Sequence, residues 1–196
     1  MKFFSLILCI LFAFNVSASG FLPIANIVKI HGEAFINKEV VAEGAEVAQG
    51  MEIKIPKKGD YIIVKFQNGH KVRFTEATVK VEELTEKITL LTLIKGQVHT
   101  FVNKLTKDEK FSVKTKYASF AVRGTKFGVS IDDKKKQAYL CVCEGVVNTT
   151  QNKMSVDVKK DEDIWVGLNA KKLIVKQSTA QMQNMTSQII DEMDQL

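Results

Sequence analysis

The sequence predicts an all-β protein: a two-layer β-roll, a β-helix-like fold or a sandwich of short antiparallel strands, with one amphipathic α-helix at the C-terminus. Apolar and polar residues alternate over most of residues 24–175, which is the period of a strand with one buried face. Clusters of Gly, Asn, Asp and Lys separate these runs, as turns do. The last twenty residues instead space their apolar side chains three and four positions apart, which is the period of a helix.

The N-terminus has the pattern of a secretory signal peptide. Lys2 precedes an apolar run from Phe3 to Phe14, and the small residues Ser17 and Ala18 suit signal peptidase. The run is shorter than the roughly 20 residues that a membrane-spanning helix needs. We therefore expect cleavage after residue 18 and a periplasmic or secreted protein, with an uncleaved membrane anchor as the alternative.

The rest of the sequence predicts a β domain at residues 19–176 and a helix at 177–196, without stable membrane insertion after cleavage. The net charge of +6 suits an anionic partner. The lysines, however, alternate with apolar residues or lie in turns such as residues 134–136, which is typical of a solvated face. We expect no nucleic-acid partner for an exported chain.

The cysteines and histidines do not predict a metal site or a cofactor. Cys141 and Cys143 point to the same face of a predicted strand, with α-carbons roughly 6.5 Å apart, which is at the edge of disulfide geometry. We expect two buried free thiols, with a disulfide as the alternative. His31, His70 and His99 have no spacing typical of metal ligands.

One hairpin can be predicted in register. A three-residue loop, Gln67–Gly69, pairs Val64 with Val72, whereas a two-residue loop would set Val72 opposite Lys65 and mix charged and apolar side chains on one face. The apolar pattern favours the three-residue loop, with its glycine in the left-handed conformation.

Glycines mark the corners of the predicted fold. Gly32, Gly96 and Gly145 each follow a polar residue between two strand segments, where a bulge or corner requires a positive φ or a close backbone approach. Their intervals are unequal, which favours recurring β corners over a solenoid with a fixed repeat.

The stretch AVRGTKFGV contains a further corner. Gly124 lies between two apolar segments and is predicted to kink the backbone there. Thr125 is expected to hydrogen-bond the backbone groups freed by the kink, and Arg123 is expected to pair with a carboxylate such as Glu144. We predict structural roles for these residues.

This region resembles the central signature of the FecR domain family. The segment FSVKTKYASFAVRGTKFGV matches it at Phe111, Val113, Thr115, Ala118, Val122, Gly124, Thr125, Phe127 and Val129. The flanking segments FQNGHKVRF, LIKGQV and CVCEGVV, the last with Glu144 and Gly145, are similar to the family's upstream hairpin, glycine-valine corner and later strand pair. The resemblance covers roughly residues 50–170.

The resemblance implies an all-β domain outside the cytoplasm that senses or relays a signal. In the best-known members it is the periplasmic part of an anti-sigma regulator that receives its signal from an outer-membrane iron-siderophore transducer. Only Met1 and Lys2 precede the apolar run, and one helix follows residue 176. We therefore expect a binding or sensing module that contacts a protein or an envelope polymer, not a complete transmembrane anti-sigma regulator.

The C-terminal segment Ser178–Leu196 has the signature of a capped amphipathic helix, with Ser178 followed by Gln181. Its apolar stripe consists of Met182, Met185, Ile189, Met193 and Leu196. The stripe is interpreted either as docking on the chain's own β domain or as binding a partner. Self-pairing through this helix would make the chain a homo-oligomeric structural or accessory protein of the cell envelope.

The sequence predicts no catalytic residues. It contains no Gly-x-Ser-x-Gly elbow, and no histidine lies in a catalytic motif. Asp132–Asp133 and Asp161–Asp163 are interpreted as solvated turns. Trp165 and the alternating phenylalanines are expected in the core, namely Phe66, Phe74, Phe111 and Phe127.

Overall fold

The computed structural model describes residues 24–122 and 124–196, so the expected signal peptide lies outside the described residues. Within these ranges the chain forms sixteen strands and one helix, in the following order: β1 (Ala25–His31), β2 (Phe35–Ile36), β3 (Glu39–Val40), β4 (Glu46–Val47), β5 (Glu52–Lys54), β6 (Tyr61–Phe66), β7 (Lys71–Leu84), β8 (Ile88–Phe101), β9 (Lys110–Lys114), β10 (Ser119–Val122), β11 (Lys126–Asp132), β12 (Gln137–Glu144), β13 (Val146–Gln151), β14 (Met154–Lys159), β15 (Glu162–Gly167), β16 (Val175–Gln177) and α1 (Ala180–Asp194).

The long hairpin β7–β8 organises the sheet into two halves. The C-terminal part of β7 and the N-terminal part of β8 belong to what we call the first half-sheet, with the strand order β3-β2-β5-β7-β8-β9-β10-β13-β14. The other ends of the same two strands belong to the second half-sheet, with the strand order β4-β1-β6-β7-β8-β11-β12-β15-β16. The sheet does not close on itself. With sixteen described strands and one helix, the fold is all-β with a C-terminal helix, as predicted.

The hairpin bends where the two halves meet. The register of β7 against β8 shifts between Thr75 and Thr78, and Glu76 and Gly96 have φ values of 48° and 86° at that point. A Cβ on Gly96 would overlap the carbonyl oxygen of Glu76. The bend therefore requires glycine at position 96, as the sequence predicted for this corner.

The main hydrophobic core includes buried side chains from both half-sheets and none from the helix among the described residues. Ile53 and Val79 come from the first half-sheet, and Val64 and Phe74 come from the second. The four phenylalanines expected in the core are buried, at Phe66, Phe74, Phe111 and Phe127. The β domain therefore closes its main core without α1.

The predicted hairpin register is confirmed. Val64 pairs with Val72, the backbone N–H of Gly69 donates to the carbonyl of Phe66 at 2.9 Å, and Gly69 has a φ of 81°. Lys65 pairs with Lys71, not with Val72. The burial pattern of the strands thus selects the turn length.

Two features of the sheet differ from the predicted short antiparallel strands. β7 and β8 each contain 14 residues, because their alternation continues through the bend and each strand serves both half-sheets. β8 and β9 pair in parallel, whereas the other described pairings are antiparallel.

The expected core position of Trp165 is wrong, since the residue is 43% exposed. Ile164 and Val166 are buried in the main core, and successive side chains of a strand point to opposite faces. Trp165 therefore lies on the outer face of the second half-sheet, opposite Tyr139.

The interpretation of residues 161–163 as a solvated turn is also wrong for Asp163, which is buried in β15. Its carboxylate accepts a hydrogen bond from the hydroxyl of Tyr139 at 3.0 Å. Asp133, in contrast, lies exposed in the turn before β12 as expected. Among the described residues, no helix is both long and apolar enough to cross a bilayer.

Candidate functional site

The kink predicted at Gly124 joins β10 to β11. Gly124 has a φ of 78°, and a Cβ there would lie 2.7 Å from the Cα of Lys104. Gly145, at the next corner, has a φ of 85°, and its Cβ would lie 2.6 Å from the carbonyl oxygen of Gly124. The two glycines thus let two corners and a loop pack backbone against backbone.

The role expected for the Thr125 side chain is wrong. Its buried hydroxyl oxygen has no hydrogen-bond partner among the described residues. The backbone of Thr125 secures the corner instead, because its N–H and carbonyl exchange two 3.0 Å hydrogen bonds with the backbone of Val102. The hydroxyl is unnecessary because the backbone groups are already paired.

Beside this corner is a cavity of about 400 Å³, lined by Phe101, Val102, Asn103, Lys104, Gly124, Thr125, Lys126 and Glu144. Lys126 forms an ion pair with Glu144 at 3.5 Å, and its ammonium lies 5.0 Å from the ring centroid of Phe101. Arg123, expected to pair with Glu144, lies outside the described residues. Phe127 is fully buried directly after the corner.

The N-cap of the helix lies one residue later than predicted. Thr179, not Ser178, is the N-cap, and its hydroxyl accepts a hydrogen bond from the backbone N–H of Met182 at 3.4 Å. The hydroxyl oxygen of Ser178 instead lies 3.5 Å from the sulfur of Cys141. The predicted cap failed because two adjacent residues, Ser and Thr, could each fill this role.

The helix docks on the outer face of the second half-sheet, against β7, β8, β11 and β12. Its buried residues are Thr186, Ile190 and Met193. Of the stripe expected to bind a partner, Met193 is buried, Met182 and Ile189 are half-buried, and Met185 and Leu196 are exposed. The buried face is therefore rotated from the predicted stripe, and it includes a threonine.

A row of side chains crosses the second half-sheet on the face where the helix docks. Strand pairing places Arg73 beside His99, His99 beside Gly128, Gly128 beside Cys141, and Cys141 beside Asp163. We call this row the helix-covered face. It contains four polar or ionisable side chains and one glycine, which distinguishes it from the apolar interior of the sheet.

Gly128 allows the helix to approach this face. A Cβ at this position would lie 3.0 Å from Cδ2 of His99 and 3.2 Å from Cγ2 of Thr186. Thr186 is itself buried on the helix. The absence of a side chain at Gly128 therefore leaves the room that Thr186 occupies.

His99 is an uncharged group on this face. Burial and, to a smaller extent, the nearby charge of Arg73 together lower its pKa to about 4. Its Nδ1 is buried without a hydrogen-bond partner among the described residues. Protonation of this imidazole is therefore opposed by its surroundings above pH 5 or so.

Cys141 and Cys143 are free thiols, as expected. The expected burial is confirmed for Cys141 and is wrong for Cys143, which is half-buried. A hydrogen bond from the Cys143 thiol lowers the pKa of Cys141 to about 6, with Ser178 and Tyr139 also contributing. The same contact, together with burial, raises the pKa of Cys143. Both thiols lie on the helix side of β12, and Cys143 packs with Ile190 and Met193.

Ion pairs hold the acidic end of the helix on basic residues of the sheet. The guanidinium of Arg73 lies 3.1 Å from the carboxylate of Glu192 and 3.7 Å from the ring centroid of Tyr61. The ammonium of Lys71 donates to the backbone carbonyl of Asp194 at 3.0 Å. This last contact satisfies a helix carbonyl that has no partner within the helix.

Among residues 24–122 and 124–196, no three His, Cys, Asp or Glu side chains are grouped to hold a metal ion. The described hydrogen bonds include none between a histidine and a hydroxyl or thiol, which is the pairing that activates a nucleophile.

Sequence reasoning missed the helix-covered face. The alternation within β12 does place Tyr139, Cys141 and Cys143 on one side, and that signal was available. The alignment of Arg73, His99 and Asp163 with them depends on the pairing of strands distant in sequence, which no local pattern contains.

The comparisons with known proteins agree with this fold. A family model described as FecR protein matches residues 54–148. No curated protein matches the sequence. A crystal structure described as a candidate anti-sigma factor from Parabacteroides distasonis ATCC 8503 is similar, with a TM-score of 0.56 and 22% identity over 66% of this chain and 61% of that one.

A second crystal structure from the same organism, with the same description, gives a TM-score of 0.46 at 18% identity, over 76% of this chain and 62% of that one. The matches therefore span less than two thirds of either solved chain, and at 22% identity the first one shows a shared fold. The family model confirms the resemblance to the FecR family that the sequence predicted, over residues 54–148.

Proposed function

We propose that this chain is an exported FecR-like signal-sensing module that acts by contact with a protein or an envelope polymer and not by catalysis. The FecR domain at residues 54–148 is the observation that carries the proposal. The expected signal peptide at residues 1–18 supports export.

The C-terminal helix supports a sensing role. It packs outside the main core and buries Ile190 and Met193 in a separate small cluster. Its acidic end is held by Lys71 and Arg73. A partner that competes for these contacts can release the helix while the β domain keeps its own core, which is how a local element reports binding.

The edge of the first half-sheet supports protein contact. Among the described strands, β14 (Met154–Lys159) pairs with β13 alone, so one row of its backbone groups faces away from the described sheet and can pair with an added strand. At six residues, β14 is long enough to register a partner strand.

A photocrosslinking experiment in living cells tests the proposal. A photoreactive amino acid is placed at Ser155 on β14 or at Met185 on the helix, with Lys58 in an exposed turn as the matched control. We expect a discrete adduct with an envelope protein or polymer from Ser155 or Met185 and none from Lys58. Identical adducts from all three positions, or none from any, would contradict a specific contact.

Export is tested separately with alkaline phosphatase fused after Leu196, because this reporter requires the disulfides that form outside the cytoplasm. We expect activity from the full chain and its loss when residues 1–18 are removed. Equal activity in both fusions would contradict export through this segment.

Self-association through the helix is the second candidate function. Met185 and Leu196 are 49% and 42% exposed after docking, which leaves a small apolar surface for a second copy. Light scattering of the full chain tests it: a dimer that Met185→Asp dissociates supports the structural or accessory role, and a monomer contradicts it.

A further inference from the structure

The outer face of the second half-sheet presents a rigid aromatic platform. The indole of Trp165 packs on the ring of Tyr139, with ring centroids 4.4 Å apart. The Tyr139 hydroxyl is fixed by its 3.0 Å hydrogen bond to the buried carboxylate of Asp163. Trp165 nevertheless remains 43% exposed, so its ring is held in place and still accessible to solvent.

A groove of about 170 Å³ runs beside this indole, lined by Asp163, Trp165, Lys172, Ile174 and Lys176. Ile174 is 48% exposed, so the groove combines two exposed apolar side chains with two ammonium groups. The two apolar side chains and the ammonium groups give the groove both an apolar and a charged contact surface.

The charge around the groove is only partly compensated, since Lys176 has Asp163 as its cross-strand neighbour. Lys172 and Lys176 have no ion pair among the described residues. Lys135 lies above the indole, with its ammonium 5.3 Å from the ring centroid, and it also pairs with Asp132 at 3.7 Å. The groove's one carboxylate, Asp163, is buried and bound to Tyr139. The accessible rim is therefore positive.

We propose that this Trp165 groove binds an anionic polysaccharide. A sugar ring contacts, with its apolar C–H face, the part of the Trp165 indole that Tyr139 and Lys135 leave exposed, and acidic groups of the polysaccharide contact Lys172 and Lys176. Lysine ammonium groups act as point charges for such carboxylates or phosphates. This inference rests on the proposed function and narrows its partner to one polymer class.

The geometry favours a polysaccharide over a peptide strand or a nucleic acid. β16, the edge strand next to the groove, has three residues with Lys176 at its centre, which is a short, charged edge that resists strand addition. Single-stranded nucleic acid is bound by aromatic residues that stack successive bases, whereas the lining of this groove contains one aromatic ring.

Fluorescence of the full chain measures occupancy of the groove, because Trp165 is the single tryptophan of the sequence. The probes are polygalacturonate, neutral dextran, polyglutamate and oligothymidylate of comparable length. We expect a saturable change with polygalacturonate, binding weaker by about tenfold for polyglutamate and oligothymidylate, and no change with dextran.

The charge of the groove is tested with Lys172→Gln/Lys176→Gln. The matched control, Lys58→Gln/Lys153→Gln, removes the same charge from exposed positions elsewhere. We expect about tenfold weaker binding of polygalacturonate by the groove variant and a change of less than about twofold in the control. All four substitutions are on exposed side chains, and circular dichroism verifies that each variant is folded.

Absence of polygalacturonate binding overturns the proposal, as does equal weakening in the two variants. Equal or tighter binding of polyglutamate or oligothymidylate also overturns it, in favour of an acidic protein or a nucleic acid. If these results occur while the Ser155 or Met185 crosslinks persist, the groove is misassigned and the sensing function stands. Loss of the crosslinks with polygalacturonate binding retained contradicts the protein contact alone.

Discussion

Replacing Ile190 with alanine is expected to release the C-terminal helix while the β domain stays folded. Ile190 is fully buried and packs with Ile63 and Met193 in the small cluster beneath the helix. The main core contains no helix residue among those described. The lost packing therefore weakens docking and leaves the interior of the sheet intact.

The size of the effect follows from the burial. Truncation of a fully buried isoleucine to alanine costs 2–5 kcal/mol, and we take about 3 kcal/mol. A helix of 15 residues is only marginally stable by itself in water, so the released segment has little stability of its own to offset the lost packing. A change of about 3 kcal/mol raises the population of the undocked state about 100-fold.

Thiol labelling under native conditions measures this population. Cys141 is 1% exposed beneath the helix, so a thiol reagent reacts with it when the helix opens, and the rate follows the open population. Cys9→Ser and Cys143→Ser in every protein leave Cys141 as the single cysteine of the sequence. We expect labelling about 100-fold faster in Ile190→Ala, with far-ultraviolet circular dichroism retaining its β signal.

Met185→Ala is the matched control, because Met185 is 49% exposed on the same helix and its truncation is expected to change stability by less than about 0.5 kcal/mol. Unchanged labelling in Ile190→Ala would refute the covering role of the helix. Loss of the β signal together with fast labelling would show that the helix is required for the folding of the sheet.

Three further outcomes are expected from chemical or thermal unfolding. Gly124→Ala should destabilise the fold by about 3 kcal/mol, because alanine would adopt an unfavourable positive φ and its Cβ would lie 2.7 Å from a backbone atom. Gly44→Ala should cost about 1 kcal/mol, because Gly44 has a φ of 88° but no atom near the position of a Cβ. Thr125→Val should change stability by less than about 0.5 kcal/mol, since its hydroxyl has no described partner. Thr100→Val loses a 3.2 Å hydrogen bond to a backbone carbonyl and should cost about 1 kcal/mol. Equal losses of stability in the two variants would contradict this assignment. The pKa of His99 is lowered from 6.5 to about 4 in the folded protein, so the unfolded chain binds the proton at a higher pH than the folded protein does. The free energy of unfolding should therefore fall by about 3 kcal/mol as the pH drops from 6.5 to 4. His99→Leu should remove this pH dependence, and an unchanged profile would show that His99 is not responsible.

Features governed by neighbouring residues were predictable from the sequence. The loop at Gly69 was fixed by the apolar residues on either side of it, because one register alone buries them on the same face. The corners at Gly96, Gly124 and Gly145 were predictable for a similar reason, since a glycine between strand segments marks a positive φ or a close backbone approach.

Features that depend on distant strands were not predictable. Trp165 was expected in the core because it is apolar, but Ile164 and Val166 occupy the inward positions of β15. The helix stripe was misplaced because Thr186, a polar residue, packs over Gly128. Hydrophobicity alone cannot predict a threonine that is buried by the shape of its neighbour.

The sequence by itself determined the alternating strands, the glycine corners, the C-terminal helix and the FecR domain, because each of these depends on residues close together along the chain. The tertiary structure alone decided which side chains meet across the sheet. The helix-covered face and the Trp165 groove both arise from strand register between β8, β11, β12, β15 and β16. Register over such separations is set by the packing of the whole sheet, which no local pattern specifies.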